Sequence, residues 1–589
     1  MLTGRLVAWT SSNTATATVD ANGLVTAVAA GGPVTITATS ETKTGTSSIT
    51  VTLAPVNTVT VSPATASLVL GTNPTQQLTA VTKDANGTVL TGRLVTWSSS
   101  NTTAATVDAN GLVTAVGVGG TTITATSETK TGTSSITVTG SGTTATLLHR
   151  STTNPRYFEN AAGQIVYLTG SHTWSNLQDN GTVDPPPTFN YTAYLDFLTA
   201  HNHNFFRLWA WEQSKWTAEI AQDYWISPGP FQRTGPDVAL DGKPKFDLNQ
   251  FNQAYFDRLR SRVLDAGARG IYVSIMLFDG WSVGTKGSHT LNNPWKGHPF
   301  NSANNINGID GDTNGDGNGL ETQTLPISAV TAFQEAYVRK LIDAVSDLDN
   351  VLYEIDNEGD PSSKDWQYHM IQVIRDYETT KGRLHPIGMT PMWPNGVDAD
   401  LVASNADWIA ITGDPEAPAT ATGSKVMISD TDHLCGICGS VSWIWKAFAK
   451  GYNPLLMDGY DGNAVGFGAA SYDGSDPIWD ELRNNMGYAR SYALRMDLAT
   501  ARPHGDKVLL INSQSVPTGY CMAIPGSQYL VFIPDGGNVT LDLTEVTGTL
   551  SVEWLNPSTG VKTPGGTVTG GPSKTLTAPF SGDAVLFLH

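Results

Sequence analysis

The hydrophobic pattern changes character along the chain. Over the first ~140 residues it is short and alternating, in runs such as TVTVSP, QQLTAVTKD, TTITATS and SSITVT, with Asn-Gly and Gly-Gly between them. Period-two runs split by turn dipeptides predict strands half-buried in an all-β sandwich. From Gln164 to about Asp458 the apolar runs become nearly continuous: 165–170, 204–210, 271–278, 351–355, 385–390, 407–412, 425–430 and 454–458. Several helical-period stretches lie between them, such as TAYLDFLTAHN, FNQAYFDRLRSRVLDAG and ISAVTAFQEAYVRKLIDAVSD. Strands apolar on both faces, alternating with helices eight times, predict a (β/α)8 barrel. Residues 476–500 read as its closing helix, and the pattern from about Lys507 returns to β in KVLLINS, QYLVFIP, NVTLDL, SVEWL and AVLFLH.

The alternating region repeats itself. GRLVAWTSSNTATATVDANGLVTAV at Gly4 returns as GRLVTWSSSNTTAATVDANGLVTAV at Gly92, and SETKTGTSSITVT at Ser40 returns at Ser127. The second copy has a leading part, roughly residues 54–91, that the first lacks, so the first copy reads as truncated. Asp20 and Asp108 fall in Asp-Ala-Asn-Gly turns, where an Asp side chain serves the backbone rather than chemistry. GSGTT at Gly140–Thr144 is a flexible linker. The expected organisation is therefore multidomain: a truncated repeat (1–52), a full β-sandwich repeat (53–140), a TIM barrel (145–503) and a C-terminal β-sandwich (504–589).

Composition narrows the partners. Of 589 residues only 15% are charged and the formal net charge is −19, which argues against nucleic acid and anionic membrane surfaces. No run is long and apolar enough to span a bilayer. The opening MLTGRLVAWTSS has no signal-peptide pattern, although it falls inside a repeat. Cys435 and Cys438 form a lone CxxC, which suits a local disulfide or two thiols better than a zinc site. Of the 16 tryptophans, only Trp9, Trp97 and Trp554 lie outside the span 174–479.

Chemistry in such a barrel belongs to the loops after the strands. There the sequence places His172 and Trp174 after the first strand and Arg207, Trp209, Trp211 and Glu212 on and after the second. Asp279 and Trp281 follow the third, Asn357 and Glu358 the fourth, Trp393 the fifth and Asp414 the sixth. The seventh ends in Asp430, Asp432 and His433, the eighth in Asp458 and Tyr460. Aromatic plates among carboxylates suit a sugar, which offers apolar faces and a rim of hydroxyls. Glycoside hydrolysis needs two carboxyl groups across one bond, and Glu358 and Asp430 come from strands on facing sides of the mouth.

The signature VTWSSSN…ATVDANGLVTAVGVGGTTITAT resembles group 2 bacterial Ig-like domains, a likeness that covers roughly residues 1–139 and implies a secreted or cell-surface protein with spacer modules. The ending Ile355-Asp356-Asn357-Glu358 resembles the acid/base motif of clan A glycoside hydrolases. NPRYFENAAGQIVYLTGSHTW and the terminal PSTG…GDAVLFLH are similar to apiosidase-like and cellulase-like barrels, with a terminal module of the collagen-binding type. The resemblance implies that Glu358 is the acid/base, that Asn357 contacts the substrate's 2-hydroxyl and that Arg207 orients the nucleophile. It places the nucleophile on Asp430, where the clan carries Glu. The shorter Asp leaves two alternatives open: Asp432 as the partner of Glu358, or inversion through a water.

DGDTNGDGNGLE, Asp310 to Glu321, fits the calcium-loop spacing D-x-[DN]-x-[DN]-G-x5-E, with Asp310, Asp312, Asn314, Asp316, Asn318 and Glu321 at donor positions. Its flanks are not helical, so a structural Ca2+ is expected and no organic cofactor. The insert 281–300 is expected to shape the cleft. Two functions compete: a secreted, retaining glycoside hydrolase, or a non-catalytic sugar-binding adhesin on the same scaffold. A metalloprotease is excluded by the lack of HExxH.

Overall fold

The computed structural model describes residues 5–69, 75–102, 104–116, 119–139, 146–218, 223–284, 290–413, 423–460, 477–516 and 519–589. Asp414 and the Gly140–Thr144 linker lie outside the described residues. The chain forms two compact units, 1–141 and 142–589.

The first unit is all-β. In its second repeat Thr96–Ser99, Gly119–Ser127, Lys130–Thr139 and Thr65–Val69 form one sheet, with Thr58–Ser62 and Thr79–Lys83 in another. Alternation puts Val59, Val61, Leu68, Val113, Ile123, Ile136 and Val138 into a common core. The first repeat keeps the equivalent sheet of Ala8–Ser11, Gly31–Ser40 and Lys43–Val51, and among the described residues its buried apolar cluster is Ala17, Val34 and Ile36. Both Asp-Ala-Asn-Gly turns are closed by their Asp. Asp20 Oδ1 accepts the Asn22 and Leu24 N–H at 2.9 and 2.8 Å, and Asp108 Oδ1 does the same for Asn110 and Leu112.

The second unit centres on eight parallel strands. They are β1 (Gly170–His172), β2 (Phe205–Leu208), β3 (Tyr272–Asp279), β4 (Val351–Asn357), β5 (Ile387–Met389), β6 (Trp408–Ala410), β7 (Val426–Asp430) and β8 (Asn453–Met457). Their order is β1-β8-β7-β6-β5-β4-β3-β2, so only the β1–β2 seam lacks a ladder. Helices α1 (Tyr191–Ala200), α2 (Gln253–Gly267), α3 (Ser328–Val345), α4 (Lys364–Lys381), α5 (Asp398–Ala403), α6 (Val441–Ala449) and α7 (Pro477–Ala493) follow strands 1 to 5, 7 and 8. On α2 the stripe Tyr255, Phe256, Leu259, Val263 and Ala266 recurs every three or four residues and is buried in the core it shares with the strands. The first strand differs from expectation. Ile165–Val166 pair antiparallel with Phe158–Glu159, and the barrel strand begins only at Gly170.

At the seam, side-chain amides replace the missing ladder. Asn176 Oδ1 accepts the Trp209 N–H at 2.7 Å and its Nδ2 donates to the Arg207 carbonyl at 2.6 Å. Gln178 repeats the pattern on Trp211, at 2.7 and 3.1 Å. Gly170 has to be glycine here, because a Cβ would lie 2.0 Å from the Phe205 carbonyl oxygen.

The C-terminal region forms two antiparallel sheets. One runs through Tyr520–Ile524, Gln528–Ile533, Ala584–Leu588 and Thr549–Leu555. Met522, Leu530, Phe532, Leu555, Val585 and Phe587 from this sheet pack on Trp443, Trp445 and Phe448 of α6 and Met486 and Tyr492 of α7. Among the described residues no helix is long and apolar enough to cross a membrane.

Candidate active site

A buried charge network lies beneath the C-terminal mouth of the barrel. Arg207 on β2 is 1% exposed and donates to Asp430 at 3.1 Å, Asp432 at 2.9 Å, Asn357 Oδ1 at 2.8 Å and both oxygens of Glu354, one of them at 2.9 Å. An arginine taken out of water must be paired on several sides, and β4 and β7 supply that pairing. Burial opposes its charge, but Glu354, Asp430 and Asp432 outweigh it and keep the guanidinium firmly protonated. Glu354 was not among the expected site residues. Its signal was a lone charge inside the apolar run VLYEI, matching the lone Arg in NFFRLWA.

Above the network is a cleft of about 390 Å3, lined by Trp174, Trp209, Trp211, Trp281, Trp393, Glu358, Asp432 and His433 among others. Trp281 and Trp393 stack with centroids 5.8 Å apart and planes 13° from parallel. Glu358 holds a left-handed backbone, φ 51°, which a non-glycine residue adopts at a cost and which turns its side chain off the strand end. Its Oε2 accepts the Trp281 Nε1–H at 2.6 Å. His433 Nδ1 stands 3.6 Å from Glu358 Oε1 and 3.8 Å from Asp432 Oδ2. Burial lowers the affinity of His433 for a proton, but Glu358 and Asp432 more than offset it, leaving it above its ordinary value. Asp432 is raised, by burial first and by the charge of Glu358 second. His433 Nε2 and Trp209 Nε1 are buried with no hydrogen-bond partner among the described residues.

Asp430 and Asp432 divide the work expected of one residue. Asp430 is 1% exposed and not part of the cleft wall. Its Oδ1 takes His172 Nε2 at 3.1 Å and the Asp432 N–H at 3.0 Å, while Oδ2 takes Arg207. Burial would raise its carboxyl, but His172 and Arg207 reverse that and hold it well below the ordinary range. It is an anchor that caps the turn Thr431–His433, and that turn lifts Asp432 into the cleft.

Other expected contacts also lie off the wall. His172 is fully buried, stacked on Trp209 at 5.6 Å. Asn357 is buried with its Oδ1 on Arg207 and its Nδ2 3.4 Å from Asp279 Oδ1. Asp279 is buried, its oxygens on the Trp281 N–H and Ser282 Oγ, and burial holds it well above its usual value. Glu212 pairs with His298 at 3.3 Å and accepts the Asp279 N–H. Asp458 binds Arg483 of α7 through both its oxygens, at 2.6 and 2.9 Å, and is not part of the cleft wall. Cys435 of the CxxC pair lines the cleft, and Leu434, Gly436, Ile437 and Met457, which had no sequence signal, complete it. Cys435 and Cys438 form a disulfide at its rim. Of the insert 281–300, Trp281 shapes the wall, and 285–289 lie outside the described residues.

Asp430, Asp432 and His433 bring potential metal ligands within 4.8 Å of one another, but the Arg207 guanidinium already supplies the positive charge there. The predicted calcium loop lies elsewhere, between β3 and β4. In it Asp312 Oδ2 accepts the Gly317 N–H at 2.8 Å and Glu321 Oε1 the Asn314 N–H at 3.1 Å. The Asn314 and Asn318 side-chain oxygens are taken by the Asp316 N–H and by Asn293.

Residues 3–51 and 55–138 match the bacterial Ig-like domain (group 2), 218–394 a domain of unknown function (DUF6298), and 505–589 the "Putative collagen-binding domain of a collagenase". Ice-binding protein 1 of Shewanella frigidimarina is 34% identical over 122 residues, 20% of this chain and only 13% of that protein's length. Among solved structures, a glycoside hydrolase family 5 protein from Bacteroides vulgatus is similar at 13% identity and TM-score 0.48, covering 75% of this chain and 93% of its own. A β-mannanase from the blue mussel Mytilus edulis is similar at 13% identity and TM-score 0.33, covering 59% and 97%. At such identity the likeness assigns no residue a role. The chain thus joins group 2 Ig-like repeats to an eight-stranded parallel barrel and a terminal module of the collagen-binding type.

Proposed function

We propose that the barrel is a retaining glycoside hydrolase of a secreted or cell-surface protein, with Glu358 as acid/base and Asp432, rather than Asp430, as nucleophile. One observation carries the reading. Carboxyls from the ends of β4 and β7 stand on the wall of one tryptophan-lined cleft, and a single ring nitrogen of His433 lies within 4 Å of both. Glu358 protonates the glycosidic oxygen as Asp432 attacks the anomeric carbon, so the leaving alcohol departs and a glycosyl ester forms. Glu358 then takes a proton from water, which cleaves the ester and returns the Asp432 carboxylate. Arg207 on Asp432 Oδ2 favours the ionised nucleophile. The Trp281–Trp393 pair offers a flat apolar platform for a sugar face, and the unpaired Trp209 and His433 nitrogens offer polar contacts for hydroxyls. A disulfide at the rim suits an oxidising compartment.

A sugar-binding adhesin would use the same tryptophans but has no need of the carboxyl pair. Glu358→Gln separates the two. Hydrolysis of unactivated glycosides falls by about 10²–10⁴, the usual worth of a positioned acid, while sugar binding persists. Full activity in Glu358→Gln refutes the hydrolase reading. Proton NMR of the first-formed anomer tests retention.

A further inference from the structure

The loop Asp310–Glu321 plays no part in the chemistry above, yet it holds two carboxylate oxygens in a condition proteins avoid. Asp312 and Glu321 each use one oxygen to bind a backbone N–H of the same loop, Gly317 and Asn314 respectively. Both carboxylates therefore face the loop's interior. Their other oxygens, Asp312 Oδ1 and Glu321 Oε2, are shut off from solvent and accept no hydrogen bond among the described residues. A buried polar atom left unpaired is costly, more so on a charged group, and two like charges in one small loop compound it. No Lys or Arg occurs in the sequence between Lys296 and Arg339.

We propose that this loop is a structural Ca2+ site, with Asp312 and Glu321 as its inner carboxylates. The orphaned oxygens are an observation separate from the spacing of the motif, and both point to the same ligand class. All-oxygen donors and the absence of His or Cys from the loop exclude soft metals. A pliable twelve-residue loop suits the larger ion over Mg2+, which demands near-octahedral geometry. By the spacing of the motif, Asp310 and the Asp316 carbonyl would complete the shell, with Asp310 Oδ1 giving up the Asp312 N–H that it now accepts. Asn314 and Asn318 would first have to release their present partners.

The position gives the ion a task. Gly319 packs so closely on Trp295 that a Cβ would meet its ring at 2.3 Å. Glu321 lies in the turn Leu320–Gln323, and Gln323 Nε2 donates to buried Asp356 Oδ1 at 3.1 Å, two residues before Glu358. An ion in the loop braces the turn that supports the end of β4. The site stands whether or not the barrel hydrolyses glycosides.

The test uses the full chain stripped with EDTA and titrated calorimetrically with CaCl2, and separately with MgCl2. Thermal unfolding is followed in EDTA and in 5 mM CaCl2. The expected result is one Ca2+ site with a dissociation constant of about 10⁻⁴ M or tighter. At 5 mM ion that raises the folded-to-unfolded ratio by about 50-fold, with a higher Tm. Asp312→Asn and Glu321→Gln each weaken Ca2+ binding at least tenfold while keeping or raising the Tm in EDTA, since each removes a charge whose second oxygen is unpaired. A purely structural role would lower that Tm instead. No Ca2+ heat with equal Tm in EDTA and CaCl2 overturns the proposal. So does Mg2+ binding as tightly as Ca2+, or Glu321→Gln titrating like the parent.

Discussion

Replacing Asp430 and Asp432 one at a time by Asn separates the anchor from the proposed nucleophile. Asn keeps the shape of Asp and removes its charge. At Asp430 the lost charge faces Arg207 at 3.1 Å and His172 at 3.1 Å, with 1% of the residue exposed. Removing one partner of a buried ion pair costs about 3–5 kcal/mol. Arg207 keeps Glu354 on both sides of its fork, so the lower end applies, about 3 kcal/mol, or roughly two decades in the folding equilibrium. At Asp432 the loss of one Arg207 bond is offset by relief of repulsion from Glu358, and stability should move by less than about 1 kcal/mol. Activity should do the reverse. Asp432→Asn loses at least about 10³ in kcat, and Asp430→Asn keeps measurable turnover if assayed where it is folded. Urea denaturation followed by tryptophan fluorescence reads the first quantity, and initial rates on any glycoside the parent hydrolyses read the second. A stable, dead Asp430→Asn beside an active Asp432→Asn would refute the division of roles.

The pH profile carries a second signature. Asp432 is raised by burial and by Glu358, so its protonated form persists to higher pH, and the acid limb of kcat/KM should lie above the ordinary Asp value of about 4. In Glu358→Gln, assayed on an activated aryl glycoside that needs no acid, that limb moves to lower pH; an unmoved limb contradicts the coupling of the two carboxyls. Gly170→Ala forces a methyl to within 2.0 Å of the Phe205 carbonyl and should cost about 1–3 kcal/mol in urea denaturation, with an unchanged midpoint counting against the tight seam.

The barrel was legible because its strands are buried on both faces, so runs such as IYVSIMLF and VLYEI stand out without alternation. The first strand was misplaced because IVYLTG serves two sheets. Val166 belongs to an antiparallel hairpin and Gly170 to the barrel, and apolar content does not mark the change of partner. Glu358 and the cleft tryptophans could be read from strand ends. The choice between Asp430 and Asp432 could not, because a single capped turn sends neighbours to opposite sides of the floor. Asp458 looked like another strand-end acid. Only the fold brings Arg483 of α7 onto it.

The amide clasp between the first two strands makes the cleft adjustable from one side. Elsewhere around the ring, shifting a strand end would break a run of backbone pairings. At this junction the main chain of Trp209 and Trp211 is held by Asn176 and Gln178, side chains that a single codon change lengthens or shortens by one methylene. A lineage could therefore retune how wide a ligand the tryptophans admit without re-registering the sheet.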